Sequence, residues 1–148
     1  MIKIETEREC LIRDTYALNI EQEKPDQIII GREARYQTSN LRVDLQTVDK
    51  NNLYREWEFK LYADYKALGQ ILVYVSEAKM ESNFEKNIIG VIAAFKFQPE
   101  LITTIRMMNL AIELVEIPQW MAMAGKKRLS NLNETLIDYK KYTLIGGN

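Results

Sequence analysis

Residues 52–74, NLYREWEFKLYADYKALGQILVY, place Glu58 and Lys60 two apart where alternation predicts a strand, and Gln70 and Tyr74 four apart where the periodicity predicts a helix. Residues two apart in a strand share a face at about 6.5–7 Å. Glu58 and Lys60 therefore point one way, while Trp57, Phe59 and Leu61 point into the opposite layer. The preceding segment, LRVDLQTVD, alternates as well. Paired beside the first, it can bring Asp44 onto the face of Glu58; a slip of one residue would turn Asp44 away. Two carboxylates converging on one point repel, and a fold tolerates them best with a cation between them. Mg2+, with Mn2+ substituting, takes such oxygen ligands and keeps waters, one of which becomes a usable nucleophile as its pKa falls. An ammonium group such as Lys60 can orient or help deprotonate that water and offset charge building on a pentavalent phosphate. The chemistry these residues suit is phosphodiester hydrolysis. The competing reading is a solvated ion pair followed by an ordinary amphipathic helix.

Composition narrows the choice. The chain has 148 residues, 47% hydrophobic and 28% charged, enough for one domain with a real core. It contains no histidine, which removes Ser-His-Asp and Cys-His nucleophiles, histidine acid–base catalysis and the usual zinc sites. A single cysteine, Cys10, forms no intrachain disulfide and builds no thiolate metal site. Hydrolysis here must rest on carboxylates, lysines and a hard metal. The net charge of −1 gives no overall basic signature of a phosphate binder, although metal-binding carboxylates offset basic residues in such a sum. No apolar run approaches the ~20 residues of a membrane span. The N-terminal MIKIETEREC lacks an apolar signal core. A soluble, cytoplasmic protein is expected.

The elements that must position these groups follow in order. Apolar residues at Ile4, Leu11, Ile12, Ala17 and Leu18 predict a helix over about 3–19, and EQEKPD a connector. QIIIGREARYQ, LRVDLQTVD and LYREWEFKLY read as three antiparallel strands in a meander. In ADYKALGQILVYVSEAKME, Leu68, Ile71, Leu72 and Val75 form a buried stripe, with Lys66, Gln70 and Tyr74 on a neighbouring one. NIIGVIAAFKFQ reads as a central strand covered on both faces. PELITTIRMMNLA opens a helix with proline, and IELVEIP is a last strand. The order αβββαβαβ implies a mixed α/β sheet flanked by helices. Residues 1–118 form the core, and 119–148 a more basic extension packed on the same domain, carrying Lys126, Lys127, Arg128, Lys140 and Lys141. Trp120, Met121 and Met123 are expected in packing, and Glu56 as an exposed edge acid.

Asp44, followed after a short hairpin by Glu58-Phe59-Lys60, resembles the PD-(D/E)xK phosphodiesterase superfamily, also called restriction-endonuclease-like. Val43 stands where that motif usually has proline, a change that costs an ion no ligand. ERECLI resembles the first-helix motif of archaeal Holliday-junction resolvases, and VDL their metal-binding strand. ALGQILVY resembles the glutamine–tyrosine segment of RecB-type nuclease domains, and more closely that of cyanobacterial excision-controlling-factor proteins. The resemblance covers about residues 4–95. It implies that Asp44, Glu58 and the backbone carbonyl of Phe59 ligate metal, that Glu7 supports the metal site from the first helix, and that Lys60 serves the attacking water. Gln70, one helical turn from both Tyr74 and Lys66, faces the site edge and can bond Lys60 or a substrate phosphate. The expectation is a metal-dependent endonuclease hydrolysing DNA phosphodiesters by a metal-activated water, acting as a homodimer. The alternative is a catalytically inactive nuclease-fold module that binds DNA or regulates recombination.

Overall fold

The computed structural model describes residues 2–122, with side chains from Thr6 onward. Met123 and the expected basic residues from Lys126 to Lys141 lie outside the described residues. The elements are α1 (Ile2–Leu18), α2 (Ile20–Glu23), β1 (Gln27–Arg35), β2 (Arg42–Asp49), β3 (Leu53–Ala63), α3 (Tyr65–Glu81), β4 (Asn87–Phe97), α4 (Pro99–Met107) and β5 (Ile112–Glu116). The expected order holds, with one addition. Asn19 folds its side chain back onto the Thr15 carbonyl at 2.8 Å, and Ile20 is buried, so part of the connector winds into the short α2.

The sheet runs β1-β2-β3-β4-β5. The first three strands pair antiparallel, as a meander does. β4 and β5 join parallel to β3, because α3 and α4 carry the chain back across the sheet before each strand begins. Two cores result. On one face, Ala67, Ile71, Tyr74, Val75 and Ala78 of α3 and Leu101 and Ile105 of α4 pack on Ile88, Ile92 and Ala94 of β4. On the other, Ile12, Tyr16 and Ala17 of α1 pack on Leu45, Trp57, Phe59, Val91 and Ala93. β4 is thus buried on both sides, as its continuous apolar run requires. Met121 is buried in the α1-side core, with Trp120 against it.

Three aromatic rings tie α1 to β3. Tyr16 lies 5.6 Å from both Trp57 and Phe59, whose rings stack 5.8 Å apart. The indole N–H of Trp57 donates to Thr47 Oγ1 at 2.9 Å, and that hydroxyl donates to Gln27 Oε1 at 2.6 Å. The buried polar atoms are therefore satisfied in a chain across β3, β2 and β1. With Trp57 and Phe59 fixed inward, alternation leaves Glu58 and Lys60 no choice of face.

Two expectations about burial are corrected. Leu72 was placed in the inward stripe of α3 but is 40% exposed. The inward positions are Ala67, Ile71, Tyr74, Val75 and Ala78, a rotation that turns Tyr74 into the core and Leu72 out. Leu18 likewise faces solvent, because α1 ends there and the chain turns into α2.

The contact between α3 and β4 is close enough to require glycine at position 90. A Cβ there would lie 2.6 Å from Ile71 Cγ1 and 2.7 Å from Ile112 Cδ1. Gly90→Ala is expected to destabilise the fold by about 1–3 kcal/mol through overpacking, measured as a lower midpoint in urea with unchanged slope; an unchanged midpoint would show that the helix rides more loosely.

Candidate active site

The β2–β3 ladder pairs Leu45 with Trp57 and Gln46 with Glu56, and ends there. Continuing that register sets Asp44 opposite Glu58, at the fork where the strands part. Val43 belongs to the α3-side core and Leu45 to the α1-side core. Residues two apart normally share a face, so β2 turns over at Asp44 and leaves its side chain near the plane of the sheet. There Asp44 Oδ2 accepts the backbone N–H of Phe59 at 2.9 Å, replacing the strand partner that β2 no longer supplies.

Glu58 meets Asp44 at this fork. The two carboxyls lie close enough to perturb one another, and Lys60 Nζ lies 3.4 Å from Glu58 Oε2. Burial, then the charge of Asp44, pushes the Glu58 carboxyl up to about 8, against the pull of Lys60. Burial raises Asp44 as well, opposed by the Phe59 amide and by Arg13. At neutral pH Glu58 thus keeps its proton. Tyr74 of α3 is buried beside them; burial and then the charges of Glu58 and Asp44 push its phenol up to about 12. Its ring lies 6.0 Å from that of Tyr36.

Asp44, Glu58 and Lys60 therefore come together, with Tyr74 alongside. Glu7 does not join them by any hydrogen bond or ion pair among the described residues; the α1 acid that reaches β3 is Glu9, accepting the Leu61 N–H at 3.1 Å. Gln70 Oε1 is buried and has no partner, so it accepts nothing from Lys60. Lys66 is exposed. Glu56, expected as an exposed edge acid, is only 3% exposed. It accepts hydrogen bonds from the Tyr36 hydroxyl and, at 2.9 Å, from Gln46 Nε2. The strand meander buried it, because Gln46 lies directly across the ladder.

One residue escaped the sequence reading. Arg13 is buried on α1 and places Nη1 3.9 Å from Asp44 Oδ1 and 3.5 Å from Glu33, while Nη2 lies 3.0 Å from Asp14. Its signal was an arginine set between Leu11, Ile12, Thr15 and Tyr16, all of which face inward; a cation at that place needs buried acids around it.

Among the described residues no three histidine, cysteine or carboxylate side chains gather as a ready cage for a metal. The donor set nevertheless fits a hard cation that keeps several waters. Glu58, buried, and Asp44, half-buried, stand together where a cation would relieve their repulsion. Along a strand, the N–H and C=O of one residue face the same edge. The Phe59 N–H points to Asp44, so its carbonyl faces the same fork.

No family model matches the chain, and no curated protein is similar to it in sequence. Solved structures do match in shape. EndoMS in the EndoMS–dsDNA2 complex aligns at a TM-score of 0.61 and 19% identity over 74% of this chain, and EndoMS in its apo form at 0.57 and 16% over 74%. A repair endonuclease from Pyrococcus abyssi aligns at 0.56 and 24% over 71%. The chain spans under half the length of these proteins, 45–47% of each. At this identity the likeness establishes the fold: the five-stranded mixed sheet with its flanking helices is the one found in these nuclease-fold proteins.

The proton on Glu58 has a measurable consequence. An unfolded glutamate ionises near 4.5, whereas Glu58 in the fold ionises near 8. Between those values the folded protein binds more protons than the unfolded chain, so stability falls as pH rises through the window. In chelator, the loss expected from about pH 4.5 to 8 is on the order of a few kcal/mol, followed by thermal melts. Glu58→Gln should flatten the curve; a wild-type curve already flat across the window would mean that the carboxyls do not meet.

Proposed function

We propose that this protein is a metal-dependent endonuclease of the PD-(D/E)xK type that hydrolyses DNA phosphodiester bonds. The observation that carries the reading is the meeting of Asp44 and Glu58 at the β2–β3 fork with Lys60 3.4 Å from Glu58. The fold shared with EndoMS and with a repair endonuclease supports it, and the appearance of EndoMS in a complex with double-stranded DNA supports DNA as the partner. No helix among the described residues is long and apolar enough to cross a membrane.

In this reading Asp44, Glu58 and the carbonyl of Phe59 would hold Mg2+ or Mn2+. A divalent cation bound there supplies Lewis acidity toward a phosphoryl oxygen and lowers the pKa of a coordinated water. The chain supplies the rest. The Phe59 amide fixes one oxygen of Asp44, leaving the other toward Arg13 and the fork. Lys60 sits at the pair on a flexible stem, largely screened from solvent, where it can orient the attacking water in line with the scissile bond and offset charge gathering on the phosphoryl oxygens. Tyr74 walls the site from the α3 side. Glu7, two residues from the acid that reaches β3, would act through solvent. The protein would work as a homodimer, pairing two sites to cut two strands.

Purified protein with Mg2+ or Mn2+ is expected to nick supercoiled DNA. Lys60→Ala should lower the rate by about 10²–10³-fold while leaving Mn2+ uptake, by calorimetry, within a few fold. Asp44→Ala should abolish both. Cleavage that survives both substitutions would overturn the assignment, and a folded wild type that takes up no Mn2+ would favour the inactive DNA-binding module.

A further inference from the structure

Three described glycines can be asked why they are glycine. At Gly90 a Cβ would run into Ile71 and Ile112, and at Gly31 into the Gln46 side chain. Gly69 has no such reason. It lies past the first turn of α3, its φ is not positive, and a Cβ there would meet nothing within 4 Å. A glycine inside an exposed helix weakens it relative to alanine, yet neither backbone conformation nor internal packing requires one. Among the described residues nothing fills the space over Gly69, which leaves room for close approach by something outside them.

The surroundings say what approaches. Gly69 lines a shallow pocket of about 410 Å3 with Leu41, Lys66, Gln70, Val73 and Tyr74. Tyr74 is the link to the carboxylates, since its phenol also feels the charges of Glu58 and Asp44. Leu41 and Val73 are exposed apolar side chains. Lys66 forms no ion pair among the described residues; Arg42, next to Leu41, is half exposed and acts on the Tyr74 phenol, with Glu33 3.8 Å from its guanidinium. Gln70, one position along, keeps a buried and unpartnered Oε1. An apolar floor flanked by an ammonium and a guanidinium matches a nucleic acid strand, whose sugars and bases are apolar-faced and whose phosphates are anionic.

We propose that the α3 face at Lys66, Gly69 and Val73 seats a strand of the DNA substrate, with the sugar-phosphate backbone passing directly over Gly69 and a phosphate on Lys66. This rests on the nuclease reading for the direction of the strand into the Asp44–Glu58 fork, but the surface itself is tested without cleavage.

Binding of fluorescein-labelled duplex DNA is followed by anisotropy with metal chelated. Gly69→Ala should raise the melting temperature by about 2–5 °C and weaken DNA binding roughly threefold, and Gly69→Leu should weaken it at least about tenfold. Both should leave Mn2+ uptake unchanged. Lys66→Gln should lower the slope of log K against log salt by about 0.9. Wild-type affinity in Gly69→Leu, or a wild type that does not hold DNA, overturns the proposal. Should Gly69→Leu not fold, unchanged affinity in Gly69→Ala overturns it equally. A wild type that binds DNA with this dependence on residue 69 but neither takes up Mn2+ nor cuts upholds the surface and removes the nuclease assignment alone.

Discussion

Phe59 is held at two points, and the site depends on both. Its ring lies under α1 against Tyr16 and Trp57, while its backbone N–H is bound by Asp44. The ring fixes which way β3 alternates, so Glu58 and Lys60 face away from the α1 core. The amide fixes where Asp44 sits, at the end of a ladder that has just run out of partners. A buried N–H without an acceptor is costly, and Asp44 is the group within reach. The carboxylate is thus recruited to the fork by a backbone requirement, and its second oxygen is left to face Glu58 and Arg13.

Comparison with the other acids of the sheet shows what sets this pair apart. Asp49 and Glu113 are both bonded to Arg55, at 2.9 Å each, which closes that cluster on itself. Glu56 receives Tyr36 and Gln46. Each of these carboxylates has found its donors within the fold. Beyond the Phe59 amide on one oxygen of Asp44, Asp44 and Glu58 have only each other, a single ammonium at 3.4 Å and a guanidinium as far as 3.9 Å. Acids set together with so little positive charge beside them favour keeping a proton. Perturbation of that kind marks a functional site when it coincides with a gap in the architecture, and here it falls where two strands separate.

Much of this was legible in the sequence because it follows from alternation. Trp57, Phe59 and Leu61 inward and Glu58 and Lys60 opposite is a statement about period two, and the long apolar run of β4 is a statement about burial on both sides. Three features were not legible. The inward face of α3 was misjudged by a small rotation, since Leu68, Ile71, Leu72 and Val75 and the observed Ala67, Ile71, Tyr74, Val75 and Ala78 both satisfy helical spacing. Glu56 looked like an edge acid because its partners, Tyr36 and Gln46, come from other strands. Arg13 was not singled out because two of its acids, Glu33 and Asp44, lie twenty or more residues further on and only Asp14 is its neighbour in sequence. Contacts between elements decide these cases, and no local pattern records them. Whether Asp44, Glu58, Phe59 and Lys60 carry the proposed roles is likewise a matter of what binds at the fork.

The rotation of α3 links the inner site to the outer surface. Turning Tyr74 inward sets its ring against Tyr36 and its hydroxyl near the carboxylates. Because residues on a helix move together, the same turn carries Lys66, Gly69 and Val73 outward. Gly90 permits the helix to lie close on β4, so Tyr74 reaches the fork at all. One helix thereby uses two glycine positions for opposite purposes. Close packing on its inner side demands the glycine in β4, and an open outer side leaves the glycine in α3 without any internal demand. The first shapes the site from within; the second makes sense as a place kept low for a strand crossing from outside.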